Sequence, residues 1–245
     1  MMKKLAWKMW AQSPDWIKII LRPPLRLVRW LKFYLEFGFP PPPSGTDLVG
    51  YETLLIFIER HNLLKVKGDI VEIGAFLGGG TYKISEYLER KGSSKKVYAI
   101  DIFDVRADQT MCTRGARMSD IYADILCRVG KGCDQFEIFQ RVTRDCRNIV
   151  TIQGDSKRVE IPARRICFAF VDGNHDSSYI KNDFCLVWPK MSPGAVVAFH
   201  DYGYDLPEVT ETIDYLLSTH SEEIGKRWLD REKHIIYIQK SQVSR

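Results

Sequence analysis

Residues 71–81, Val71-Glu72-Ile73-Gly74-Ala75-Phe76-Leu77-Gly78-Gly79-Gly80-Thr81, constrain the fold of this chain more than any other stretch. A β-branched run at 69–74 (DIVEIG) stops on a glycine. Three more glycines follow, and the helical pattern of residues 81–91 begins at once. Glycine lets a backbone turn sharply and approach a ligand with no Cβ in the way. The helix N-terminus adds free amides and a dipole that favours a carboxylate. A buried strand feeding a helix through such a turn is the opening unit of a parallel α/β sheet.

The rest of the chain continues that alternation. Strands are expected at 96–101 (KVYAID), 148–152, 166–171 (ICFAFV) and 195–199 (AVVAF), and helices at 51–64, 179–188 and 207–217. Residues 226–229 and 234–240 read as a closing hairpin. Strands alternating with helices imply a Rossmann-like, doubly wound, mostly parallel seven-stranded α/β sheet with an antiparallel C-terminal hairpin. Between 103 and 147 the pattern weakens into a polar insertion with some helix and seven arginines. It is a candidate lid; its arginines either contact anionic or glycan groups or form a solvated surface.

Ahead of this domain lies a different kind of sequence. Residues 1–37 read as two helical pieces around Ser13-Pro14-Asp15 and Pro23-Pro24, with Ser13 as a cap. The proline run from Phe39 favours an extended linker. The expected organisation is therefore a helical segment (1–37), a linker (38–46) and a catalytic domain (47–245). The first 37 residues carry eight basic and two acidic side chains, while the whole chain has a surplus of only five positive charges. The remaining body is thus close to neutral, which argues against a nucleic-acid partner. Four of the six tryptophans, Trp7, Trp10, Trp16 and Trp30, fall in the same basic segment. Tryptophan with basic side chains suits an anionic membrane interface; an arm packing on the domain or on a second copy of the chain is the competing reading. No apolar run resembles a cleavable leader or a membrane span. The six cysteines lack CxxC spacing, so a structural zinc site is not expected. Reduced thiols and a cytoplasmic setting are the default expectation, with a disulfide among Cys112, Cys127, Cys133 and Cys146 left open.

The spacing Gly74-x3-Gly78 is not the GxGxxG of dinucleotide binders, which disfavours a nicotinamide-dependent oxidoreductase. Asp101 ends the second expected strand, where an acid can grip ribose hydroxyls. Gly154-Asp155-Ser156 follows the third, placed to meet an adenine amino group. In order along the chain, these motifs resemble those of class I S-adenosylmethionine-dependent methyltransferases, over roughly residues 66–240. The resemblance implies that Glu72 stands beside the methionine part of the cofactor and that Gly74 and Gly78 shape its loop. It further implies that Asp101 binds ribose and that Asp155 and Ser156 border adenine.

A second dense cluster is Phe170-Val171-Asp172-Gly173-Asn174-His175, answered by Phe199-His200-Asp201-Tyr202 after the next strand. Both fall at carboxyl ends of neighbouring strands, where ligands bind in open α/β sheets. A hydroxyl is a poor nucleophile until its proton is removed, and histidine titrates near the operating pH. The block from Asp172 to Tyr202 is similar to a small-molecule O-methyltransferase group that includes macrocin-type and mycinamicin-type sugar methyltransferases and cephalosporin hydroxylase-like proteins. That resemblance implies a divalent cation on Asp172 and Asp201, with His175 as the catalytic base and a small-molecule or glycosyl acceptor. His200 departs from the group's pattern, standing where the first acid of a pair is usual. Magnesium prefers oxygen ligands, so His200 points to a transition metal, with His200 as third ligand, or to an acid/base group with no metal. A cofactor-binding module that lost catalysis is the alternative from a different class.

Overall fold

The computed structural model describes residues 15–242, with side chains from residue 24 onward. The chain divides into two compact units that part within the proline run, between Pro41 and Pro42.

The first unit holds helix α1 (Asp15–Phe37). A single helix replaces the two pieces expected around Pro23-Pro24. The proline ring holds φ at a value a helix accepts, so the helix continues through the two prolines although each removes an amide donor. The helix ends at Gly38, whose left-handed φ of 79° lets its N–H reach the Tyr34 carbonyl at 2.7 Å. The expected cap Ser13, with Trp7 and Trp10, lies outside the described residues. No helix among the described residues is long and apolar enough to cross a membrane.

The second unit is a seven-stranded sheet in the order β3-β2-β1-β4-β5-β7-β6. Its strands are β1 (Asp69–Ile73), β2 (Val97–Asp101), β3 (Ile149–Gln153), β4 (Ile166–Val171), β5 (Met191–Phe199), β6 (Ile224–Asp230) and β7 (Ile235–Lys240). Strands β1 to β5 pair in parallel, and β7 runs antiparallel to both β5 and β6. The central strand β4 is buried along its whole length, as its unbroken apolar sequence ICFAFV requires of a strand covered on both faces.

The helices of this unit are α2 (Glu52–Arg60), α3 (Gly79–Arg90), α4 (Met118–Gly130), α5 (Gln135–Thr143), α6 (Ser177–Val187) and α7 (Pro207–Thr219). The helix expected over 51–64 stops early because Asn62 takes a left-handed φ of 51°. The insertion supplies α4 and α5. Asp134 caps α5 by accepting from the Glu137 amide at 2.8 Å, and Glu137 returns the bond to the Asp134 amide at 3.1 Å. On one face of the sheet, α6 and α7 lay Phe184, Val187, Ile213 and Leu216 against Val71, Val171, Val197 and Phe199. Each such side chain contributes about 1.5–3 kcal/mol on full burial. All six cysteines are free thiols.

The chain steps outward from β1 through β2 to β3, then returns to β4 beside β1. The sheet therefore reverses its winding between β1 and β4, and a crevice opens there at the carboxyl ends of the strands.

Candidate active site

A cavity of about 300 Å³ occupies that crevice. Every parallel strand contributes to its wall where it ends: Gly74 after β1, Asp101 on β2, Gly154 after β3, Asp172 after β4, and His200 after β5. The segment ahead of α2 closes one side with Thr46, Asp47 and Tyr51, and α4 closes another with Met118, Ile121, Tyr122 and Ile125. Those α4 residues sit at helical spacing, so one face of the insertion's first helix lines the cavity. The insertion's arginines do not. Arg106 pairs with Asp104, Arg114 with Asp205 and Arg128 with Asp124, all as exposed arginines.

The glycine-rich turn is built for close packing of the chain on itself. Gly74 has φ 94°, and a Cβ there would lie 2.0 Å from the Asp172 carbonyl oxygen. A Cβ on Gly80 would lie 2.3 Å from the Tyr51 ring. At these two positions glycine admits β4's end and Tyr51 to the turn. Gly78 has φ 81° and packs on Phe139, away from the cavity wall. Glu72 is also set back: fully buried, it accepts from Thr81 Oγ1 at 2.5 Å. Burial pushes its carboxyl up to about 7, against the lowering effect of Thr81 and Tyr51.

Asp101 lines the cavity and also braces it. Its Oδ2 accepts from the Phe76 amide at 2.8 Å, and its Oδ1 from the Phe103 amide at 2.6 Å and Gln135 Nε2 at 3.2 Å. Phe76 and Phe103 both hold left-handed φ values, 49° and 54°, that a non-glycine residue adopts only under constraint. Burial raises Asp101 to about 6, although the two amides and Gln135 pull it down. Asp155 and Ser156 line the cavity after the neighbouring strand β3. Asp155 accepts from the Lys157 amide at 2.9 Å and from Tyr179 Oη at 3.3 Å, while Ser156 bonds the buried Asp183.

The strand ends beyond β4 and β5 carry an alternating row of carboxylates and imidazoles. Asp108 Oδ2 lies 2.5 Å from His175 Nδ1; His175 Nε2 lies 2.9 Å from Asp201 Oδ2. His200 Nδ1 then lies 3.1 Å from both Asp201 Oδ2 and Asp172 Oδ1. Asp201 takes a left-handed φ of 58°, which bends its carboxylate between the two rings. Burial alone would lower both histidines, but the flanking carboxylates outweigh it. His175 is raised to about 10 by Asp108 and Asp201, and His200 to about 11 by Asp172 and Asp201. Asp201 is buried too, yet the two imidazoles hold it far below the usual carboxylate range. The flanking carboxylates thus favour the charged form of both rings.

This row brings Asp172, His175, His200 and Asp201 together. Asp172, His200 and Asp201 meet at the cavity wall. His175, the expected base, sits behind them at 4% exposure with both ring nitrogens engaged. Asp108 completes the row and was missed, because it comes from an insertion with no periodic pattern. Tyr51, Tyr122 and Gln135 were missed as well; only the 118/121/122/125 spacing of α4 held a signal for Tyr122.

The family model described as a methyltransferase domain matches residues 71–202, more than half of the chain. No curated protein matches it. Among solved structures, the fold is similar to that of the O-methyltransferase NovP, with TM-score 0.60, 20% identity, and 79% of this chain and 80% of that one covered. It is also similar to calicheamicin methyltransferase CalS11, with TM-score 0.52, 15% identity and coverage of 77% and 79%. At such identities the likeness establishes the shared sheet and its helices. The family match spans the glycine turn, Asp101 and both halves of the carboxylate–imidazole row, and by it the chain belongs to the methyltransferase-domain family, as a class I S-adenosylmethionine-dependent enzyme.

Proposed function

We propose that this chain transfers a methyl group to a hydroxyl of a small-molecule or glycosyl acceptor bound in the cavity. The observation that carries the reading is the row Asp108–His175–Asp201–His200–Asp172, whose four other members line the cavity while His175 sits behind them.

The cofactor fits the wall. Gln135 Oε1 is a buried acceptor at the cavity wall with no partner among the described residues, placed where an ammonium or hydroxyl would be met. Asp101 retains lone pairs for ribose hydroxyls, and Asp155 with Ser156 would border adenine. Glu72 and Gly78, set behind the wall, act through the shape of the turn. When bound, S-adenosylmethionine supplies a methyl group made electrophilic by its sulfonium.

The chain's own task is to align the acceptor oxygen and take its proton. Asp172 spends Oδ1 on His200, and its carboxylate is the proton acceptor at the cavity wall. His200, a cation held through Nδ1 by two carboxylates, presents Nε2 free of any partner among the described residues. Its charge stabilises the oxygen as that oxygen becomes anionic. His175 positions Asp201, and Asp108 positions His175.

The residues do not fit the divalent cation that the resemblance implied. Carboxylates of Asp172 and Asp201 and a His175 nitrogen gather within 4.8 Å of one another. However, both His175 nitrogens are committed to carboxylates, and His200 directs an N–H at the two oxygens a cation would need. Two carboxylates are a poor set for magnesium, which wants a near-octahedral oxygen shell. A transition ion would have to expel a proton from His175, whose ring is clamped by acids on both sides, or from His200, whose Nδ1 is held by two carboxylates. His200 supplies the positive charge in the cation's place.

Release of S-adenosylhomocysteine, followed with a panel of glycosides and phenols, tests the reading. Turnover with a hydroxylated acceptor is expected. Tight cofactor binding with no turnover on any of them would favour a binding module that has lost catalysis.

A further inference from the structure

The first unit offers a surface that the methyl-transfer reading does not use. Along α1, Leu27, Trp30, Leu31 and Tyr34 recur at three- and four-residue steps and so share one side of the helix. Val28 and Leu35 widen that side. All six are exposed, Val28 at 60% and Leu35 at 82%. The Trp30 and Tyr34 rings stack with centroids 5.3 Å apart. Phe33, which points elsewhere, is buried against Phe37 and Phe39. The helix therefore covers one aromatic edge and leaves a broad apolar face open.

The charges fall on the other sides. Arg26 and Lys32 lie at the two borders of the apolar face, next to Trp30 and Val28, and Arg29 lies opposite it. Glu36 is the only acid between residues 24 and 37. Two stacked amphipathic aromatics, a wide aliphatic face and cations flanking it describe a helix that lies in a membrane interface, its apolar face among acyl chains and its cations toward headgroups. A protein partner would accept the apolar face equally well, but the surplus of cations selects an anionic one.

We propose that α1 binds the surface of an anionic lipid bilayer, lying in its plane, and so recruits the enzyme to a membrane. This stands independently of the acceptor and of the chemistry at Asp172.

Flotation of the full chain with vesicles of phosphatidylcholine, with and without phosphatidylglycerol, tests the proposal. The wild type should float with the anionic vesicles only and be released by high salt. The double variant Arg26→Glu/Arg29→Glu should partition at least about tenfold more weakly, since each basic residue near the surface is worth about fivefold. Leu27→Glu/Leu31→Glu should abolish flotation. Both variants should bind S-adenosylhomocysteine as the wild type does, which certifies their fold. Equal flotation with and without the anionic lipid, or none at all, would overturn the proposal. So would a wild-type dimer in sedimentation velocity that Leu27→Glu/Leu31→Glu dissociates, since the face would then belong to a second copy of the chain.

Discussion

Asp108 and His175 are 67 positions apart in the chain, yet the Asp108 carboxylate accepts from both the His175 ring, at 2.5 Å, and the His175 amide, at 3.4 Å. The insertion after β2 is thereby fastened to the loop after β4. On its other side the same ring meets Asp201, so one imidazolium separates two buried carboxylates.

Removing that ring should cost stability first. His175→Ala leaves the buried Asp108 without its cation and Asp201 with His200 alone, and breaking a buried charge pair in this way costs about 3–5 kcal/mol. Asp108→Asn keeps an acceptor and removes only the charge, so it should cost less, about 1.5–3 kcal/mol. Urea denaturation of the two variants checks the order. If His175→Ala were as stable as wild type, the buried row would not exist as described.

A different loss is expected at Asp101. Its carboxylate holds the amides of Phe76 and Phe103 in left-handed conformations besides facing the cavity. Asp101→Ala should weaken S-adenosylmethionine binding by about 1.5–3 kcal/mol for each charged hydrogen bond lost and should also loosen the turn. Asp101→Asn, which can still accept one amide, should bind more tightly than Asp101→Ala. Calorimetry on both decides whether Asp101 acts on ribose directly or only through the turn; equal affinities would favour direct contact alone.

The parts of this site that were legible in the sequence are those with a local cause. Apolar runs such as ICFAFV mark buried strands because a strand covered on both faces must be apolar throughout. Asp101 and Asp172 were readable because they stand where such runs stop. Tertiary geometry set the rest. Nothing in the residues around Asp108 announces that its carboxylate closes on a histidine so far along the chain. Nor does the Asp172-x-x-His175 spacing say which ring nitrogens are spent. Here it conceals that His175 lies behind the wall and His200 within it. The glycine turn shows the same limit: the sequence calls for missing Cβ atoms, while only the fold reveals that Asp172 and Tyr51 take the space.

Glu72 makes stability depend on pH in a way that can be signed. Burial raises its carboxyl to about 7 in the folded chain, against about 4.3 when unfolded. Between those values the folded state keeps a proton that the unfolded state has lost, so stability falls as pH rises across the window and levels off above it. The full effect is on the order of 3 kcal/mol. Glu72→Gln should remove this slope, leaving a variant more stable than wild type at pH 8 and equal to it near pH 4. Thermal unfolding of both proteins across that range gives the difference directly, with contributions from other groups cancelling. Parallel curves would place Glu72 in a more polar setting than its burial implies.

The sharpest test concerns what supplies positive charge beside the acceptor oxygen. His200 Nδ1 stands 3.1 Å from an oxygen of Asp172 and 3.1 Å from one of Asp201, and its ring lines the cavity. If that imidazolium replaces a metal ion, a chelator should leave turnover unchanged and added magnesium should not raise it. His200→Gln should lower kcat about 10²–10³-fold, the range for losing one donor to a developing oxyanion, with cofactor affinity nearly intact. Asp172→Asn, which removes the proposed proton acceptor, should cost about 10²–10⁴-fold. His200→Glu supplies the oxygen ligand that the site otherwise lacks, so it should convert a chelator-insensitive enzyme into one that needs magnesium. Its bound cation would be readable by calorimetry without any turnover. Loss of wild-type activity on chelation, restored by a divalent ion, would instead make His200 a ligand and return the charge at this site to a metal.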